Sequence, residues 1–151
     1  MDSLTGHAGS WTGTNQFRLM PTDDASAAPA AATLSVDDAG TIATLAYTWT
    51  HPDDGPQSGH LMVGLGEEPA TAQALWGDSW HQKPAVRVLR GTVLDDGVHL
   101  SCEYFDGWFW HIVLTAPDPA TLRLQMDNTV PGDDGRDGVS YWAMLADLHR
   151  T

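Results

Sequence analysis

GVHLSCEYFDGWFWHIVLT, residues 97–115, sets a two-residue Asp-Gly between two runs rich in Val, Leu, Tyr, Trp and Phe. Asp-Gly flanked by β-rich runs is a strong hairpin signal, because glycine supplies the positive φ of a tight turn. Folding at Asp106-Gly107 sets Phe105 opposite Trp108, Tyr104 opposite Phe109, Glu103 opposite Trp110 and Cys102 opposite His111. One face then carries Leu100/Val113 and Val98/Thr115 with Tyr104/Phe109 and Cys102/His111. The other carries Ser101/Ile112 and His99/Leu114 with Phe105/Trp108 and Glu103/Trp110. Neither face is polar, whereas an antiparallel hairpin with one side in water shows a solvated face. Two partly apolar faces imply one wall packed on protein and another lining a cavity or an interface. The plainer reading is wall filling, since cross-strand aromatic pairs stabilise a sheet by about 0.2–1 kcal/mol each.

The pattern continues on both sides. Asp pairs at 23–24, 37–38, 53–54, 95–96 and 133–134, with Glu67-Glu68, mostly sit beside Gly, Pro, Ala or Ser. Asp in such company makes turns by accepting hydrogen bonds from nearby backbone N–H groups. Between the pairs lie runs of alternating apolar and polar residues at about 10–19, 31–36, 41–50, 59–65, 72–80, 85–94, 97–105, 108–115, 120–128 and 138–147. Period-2 alternation predicts strands. PATAQAL at 69–75 could form a helical turn, but Trp76 and Trp80 favour a strand; Asp2–His7 reads as a turn. PTDDASAAPAA at 21–31 and PGDDGRDG at 131–138 read as loops, the latter without the bidentate Glu that a calcium loop needs. No repeat or linker divides the chain, so residues 1–151 are expected to form one domain. Many short antiparallel strands joined by short turns predict an all-β, up-and-down barrel of eight to ten strands, in which closure removes exposed edges.

Twenty acidic against seven basic residues give a formal charge of −13. Phosphate and anionic membrane surfaces are poor partners for such a chain. Cys102 is the one cysteine, which fits a reducing compartment; with no basic, apolar leader or long apolar run, a cytoplasmic address is expected.

GSWTGTN at 9–15 resembles the first strand of calycin-type barrels, the lipocalins, avidins and fatty-acid-binding relatives. The resemblance implies that Trp11 plugs one barrel end. HLMVGLGEEPATAQALWGDSW at 60–80 resembles a bacterial family of single-domain lipocalin-like barrels, through His60…Gly64 and Trp76-Gly77-Asp78-Ser79 in order after Gly-x-Trp-x-Gly. The chain departs from that family in its Asp pairs and its single lysine, Lys83. The nitrobindins, haem-binding barrels, share a Gly-x-Trp-x-Gly-x-Gly opening, but Asn15 replaces the last glycine; the nearest candidate for their haem histidine is His149.

Seven histidines (His7, His51, His60, His81, His99, His111 and His149) include no His-x-His or His-Glu-x-x-His, so neither a metal nor another cofactor is called for. Cys102 opposite His111 is the only nucleophile–base pair the register offers, and a buried cysteine is more often a small hydrophobe. The leading expectation is non-catalytic binding of a small, mostly apolar molecule in the barrel interior. Trp49, Trp76, Trp80, Trp110 and Trp142 would supply apolar wall and Tyr47 a polar tip. Arg87 and Arg123 would orient an acidic head group, with Glu103 or Asp78 as their partner when no ligand is bound, and His111 would donate or accept a hydrogen bond. A second expectation is a small isomerase- or cyclase-like enzyme using Glu103 or Asp78 with a pKa raised by burial. A third is a cavity-free module that forms a homodimer through an exposed Trp face.

Overall fold

The computed structural model describes residues 2–81, 83–132 and 138–151, so most of the 131–138 loop reading lies outside the described residues. A short helix, α1 (Asp2–Thr5), precedes ten strands: β1 (Gly9–Phe17), β2 (Ser26–Val36), β3 (Ile42–His51), β4 (Gly55–Leu65), β5 (Thr71–Asp78), β6 (Arg87–Leu94), β7 (Gly97–Phe105), β8 (Trp108–Asp118), β9 (Thr121–Val130) and β10 (Val139–Arg150). Each strand pairs antiparallel with the next, and β1 pairs with β10, closing an up-and-down barrel of ten strands. Among the described residues no helix is long and apolar enough to cross a membrane.

Alternation sets the inside. Leu45, Leu61, Leu89, Leu100, Ile112, Leu114, Leu122, Leu124, Met126 and Leu148 are almost wholly buried and fill the barrel's middle. At one end Leu4 of α1 and Trp11 are fully buried, Trp11 Nε1 donates to the His7 carbonyl at 3.1 Å, and the Arg150 guanidinium lies 4.7 Å from the Trp11 ring. This is the plugged end. The opposite end, where β1, β3, β5, β7 and β9 finish, is the mouth.

Two expectations need correction. The loop expected at 21–31 ends early, because β2 begins at Ser26. Residues 26–30 pair with β1 only, and β3 joins from Ala31, so Pro29 sits where β2 has a single paired edge and its missing N–H is tolerated. The strand expected at 72–80 forms as β5, whose Ala72, Ala74, Trp76 and Asp78 are buried in strict alternation. The hairpin turns at Asp106-Gly107, with Phe105 opposite Trp108 and φ +72° at Gly107, but its register differs from the one expected. A bulge at Tyr104 pairs Glu103 with Phe109, Cys102 with Trp110, Ser101 with His111 and Leu100 with Ile112. The extra residue flips the parity of the strand beyond it. Val98, Leu100, Trp110, Ile112 and Leu114 thus share the inner face, while His99, Ser101, Glu103, Phe109 and His111 share the outer one.

Candidate functional site

The site grows from WGDSWH at 76–81. Asp78 closes β5, and its Oδ1 accepts the backbone N–H groups of Trp80 at 2.8 Å and His81 at 2.9 Å. This is the turn that an Asp side chain makes with residues just ahead of it. It folds the chain back, so that the His81 side chain is only 2% exposed and the Asp78 side chain is fully buried. Asp78 Oδ2 accepts from the Tyr47 hydroxyl at 2.8 Å and from Trp49 Nε1 at 3.3 Å, and Trp76 Nε1 donates to the Tyr47 oxygen at 2.9 Å.

Burial pushes the Asp78 carboxyl up. The adjoining His81 ring and the main-chain N–H groups of His81 and Trp80 outweigh it and hold the pKa at about 2. Asp78 is therefore an ionised carboxylate, opposite to the raised pKa expected of a buried acid. Tyr47 is pushed well above its ordinary value by burial and by the charge of Asp78, so it stays a hydrogen-bond donor.

Aromatic rings box in His81. Trp49 stacks on it at 4.9 Å between centroids, Trp80 meets it edge-on at 5.0 Å, and Trp110 lies tilted at 5.1 Å. Trp76 and Trp110 stack at 5.9 Å, nearly parallel. His81 Nδ1 comes within 3.1 Å of Asp78 Oδ1, an ion-pair distance, but the alignment is poor, and neither ring nitrogen has a hydrogen-bond partner. The buried Nε1 of Trp110 has none either.

Both rings border a cavity of about 250 Å³ at the mouth. Phe17, Arg18, Leu19, Met20, Trp80, Tyr104, Trp108, Asn128, Tyr141 and Ala143 complete its wall. Tyr104, Asn128, Tyr141 and Arg18 there are already engaged. Tyr104 donates to Asn128 Oδ1 at 2.8 Å, Asn128 Nδ2 donates to the Tyr141 oxygen at 3.2 Å, and Tyr141 donates to the Leu19 carbonyl at 2.8 Å. Arg18 donates to the carbonyls of Trp142 and Pro21 and lies 4.0 Å from the Trp142 ring.

Of the residues expected at a site, Tyr47, Trp49, Trp76, Asp78, Trp80 and Trp110 come together at the inner side of the mouth, with Trp80 and Trp110 on the cavity wall. Arg87 is half-buried opposite Trp76, near enough to Cys102 to affect its thiol, but outside the cavity wall. The other four lie on the outer face. Glu103 accepts the Gly107 N–H at 2.8 Å, so it caps the hairpin turn. His111 Nε2 lies 3.0 Å from the Thr129 hydroxyl and its Nδ1 3.3 Å from His99 Nε2; burial, then His99, lowers its pKa. Arg123 pairs with Asp147 at 2.7 Å, both partly exposed, and Trp142 packs under Arg18. The expected Cys102–His111 pair is absent, because the bulge puts them on opposite faces; burial also raises the Cys102 pKa, which disfavours the thiolate. Among the described residues no three His, Cys, Asp or Glu side chains gather as metal ligands.

The residues that sequence reasoning missed are His81, Arg18, Phe17, Tyr104, Asn128 and Tyr141. For His81 the sequence shows only an Asp with a His three residues later, directly after Trp80, at a strand end. No protein-family model matches the chain, and no curated protein matches it.

Proposed function

We propose that the mouth of the barrel binds a small, mostly apolar molecule that carries one polar group, without catalysing its conversion. The observation behind this reading is the pair of unpartnered ring nitrogen groups, on His81 and Trp110, at a cavity otherwise walled by aromatic and apolar side chains. A buried polar atom without a partner costs about 1–3 kcal/mol, a penalty that a bound polar group removes. A cavity of about 150 Å³ holds benzene, so 250 Å³ suits a molecule of on the order of ten non-hydrogen atoms. The plugged end and the closed barrel support the likeness to lipocalin-like calycins. The haem alternative gains nothing at the mouth, since His149 is exposed at the plugged end of β10. An enzyme that uses Glu103 or Asp78 as its acid is also disfavoured, since Glu103 points outward and Asp78 is ionised and saturated with donors. A cytoplasmic address remains in keeping with the single free thiol.

Equilibrium dialysis against bicyclic aromatic probes, charged and uncharged, tests the reading. At least one should bind to the wild type and lose affinity about tenfold in Ala143→Phe, which fills the cavity from β10. Failure of every probe, or binding indifferent to Ala143→Phe, would overturn it.

A second reading, self-association, rests on the outer face of β3–β6. Met62, Leu75 and Val88 form a row across three strands there, all about half exposed, and Ile42 and Val86 adjoin them. The expected exposed Trp face gives way to this aliphatic one.

A further inference from the structure

We infer that the polar group read by His81 and Trp110 is a carboxylate, so that the barrel selects small aromatic or alicyclic carboxylic acids over their neutral counterparts. The inference rests on the cavity-binding reading above and names its ligand class.

The two free groups are neighbours, with ring centroids 5.1 Å apart. Trp110 Nε1 can only donate. On His81, Asp78 occupies the Nδ1 side, which leaves Nε2 for the cavity. A carboxylic acid satisfies this pair whichever side holds the shared proton. Its protonated oxygen donates to a neutral Nε2, or its carboxylate accepts from a protonated one, while the second oxygen accepts from Trp110. The proton only moves between Nε2 and the ligand oxygen, so charge and atoms balance without any other reactant. A carboxylate then lies on the far side of the imidazole from Asp78, and the ring is paired at both nitrogens.

Charge decides between the acid and a neutral amide, which could match the same two atoms. The chain carries twenty acidic residues, yet no Asp or Glu is among the described residues that line this cavity. Arg18 does border it, and it donates to the carbonyl oxygens of Trp142 and Pro21. Arg18 is the one side chain on this wall with a permanent positive charge. It favours an anion over a neutral ligand of the same shape, against the rim carboxylates of Asp23, which accepts the Met20 N–H, and Asp54, which accepts from Trp80 Nε1. The Tyr104–Asn128–Tyr141 chain is engaged in its own hydrogen bonds, which places the head group at the buried, unpartnered His81 and Trp110 and the hydrocarbon toward Met20 and Ala143.

The test is equilibrium dialysis with 2-naphthoate and its neutral isostere 2-naphthamide. The wild type should bind the carboxylate about tenfold more tightly or better, because hydrogen bonds to a charged acceptor are about twice as strong as neutral ones. Trp110→Phe and His81→Phe should each weaken both probes but weaken the carboxylate several-fold more, so that the preference shrinks. Should either variant fold poorly, by near-ultraviolet circular dichroism, Arg18→Gln, at a partly exposed position, serves in its place and should weaken the naphthoate alone. Equal wild-type affinities for the two probes would overturn the inference while leaving the binding reading intact. If neither probe nor any other bicyclic binds, the binding reading itself falls, and the inference with it.

Discussion

Asp78 shows how one residue can serve structure and site together. Four donors converge on its carboxylate, from Tyr47, Trp49 and the main chain of Trp80 and His81. Its ordinary pKa of 3.8 falls to about 2 in the folded chain. A carboxylate with a depressed folded pKa contributes stability that is fully present above its unfolded pKa and is lost as pH falls through the folded one. The contribution is about 2 kcal/mol at neutral pH. Urea melts from pH 7 down to pH ~2 should therefore show the wild type losing about 2 kcal/mol more than Asp78→Asn, with the difference confined to the interval below pH ~4. At pH 7 the Asn variant should itself be about 2–4 kcal/mol less stable, because its amide group would face donors. Parallel acid curves for the two proteins would show that the carboxylate is not held as described. Trp49, Trp76, Trp80, Trp110 and Asp78 were legible as site candidates because large aromatics and a buried acid are unusual in alternating strands, whereas Trp142 shares the residue type but faces outward. His81 was not, since its position depends on a turn that brings the chain back over the mouth, and residue type alone does not show it.

At the scale of elements, the hydrogen bond from Tyr47 to Asp78 joins β3 to β5 across the strand between them. Gly59 of β4 is in register with Tyr47 on one side and Asp78 on the other. A Cβ at Gly59 would overlap the Tyr47 ring, so the missing side chain is what lets the phenol lie over β4 and reach the carboxylate. Gly59→Ala should cost about 1–3 kcal/mol, as overpacking a tight site does. Tyr47→Phe should cost about 1–2 kcal/mol by leaving Asp78 and Trp76 short of a partner. The double variant should be less destabilised than the sum of the two, because both remove the same contact. Additivity in a thermal double-mutant cycle would show that Gly59 does not seat Tyr47. Strand boundaries were legible almost throughout, since turn residues and alternation mark them locally. Register in β7 was not, because a bulge leaves no residue signature of its own at Tyr104. One clue was available: placing Leu100 opposite Ile112 and Val98 opposite Leu114 makes one face wholly apolar, and only an extra residue near the turn permits that.

For the molecule as a whole, the order of strands was readable because consecutive short connections leave few alternatives to a meander. What lies on its outer wall was not, since a one-residue shift exchanges inside for outside. Charge and the outer wall together bear on self-association. Two copies, each at −13, repel, so they can meet stably only where no carboxylate projects. The strands β3, β4 and β6 contain no acidic residue, and Asp78, the only one in β5, is buried inward. Their outer face carries Ile42, Met62, Leu75 and Val88, exposed by 46–57%. A two-fold contact there would cover the same aliphatic row on each copy. Sedimentation equilibrium over a range of concentrations should then show a dimer that Met62→Glu weakens at least tenfold, because the variant buries a charge opposite its own copy. Salt should act in the unusual direction. Screening within about 8 Å at 0.15 M ionic strength weakens repulsion between the acidic remainders and leaves an apolar contact intact, so the dimer should tighten as salt rises from low values. A wild type that stays monomeric at every concentration and salt level removes self-association, and leaves the mouth as the one surface of this barrel with a partner to explain.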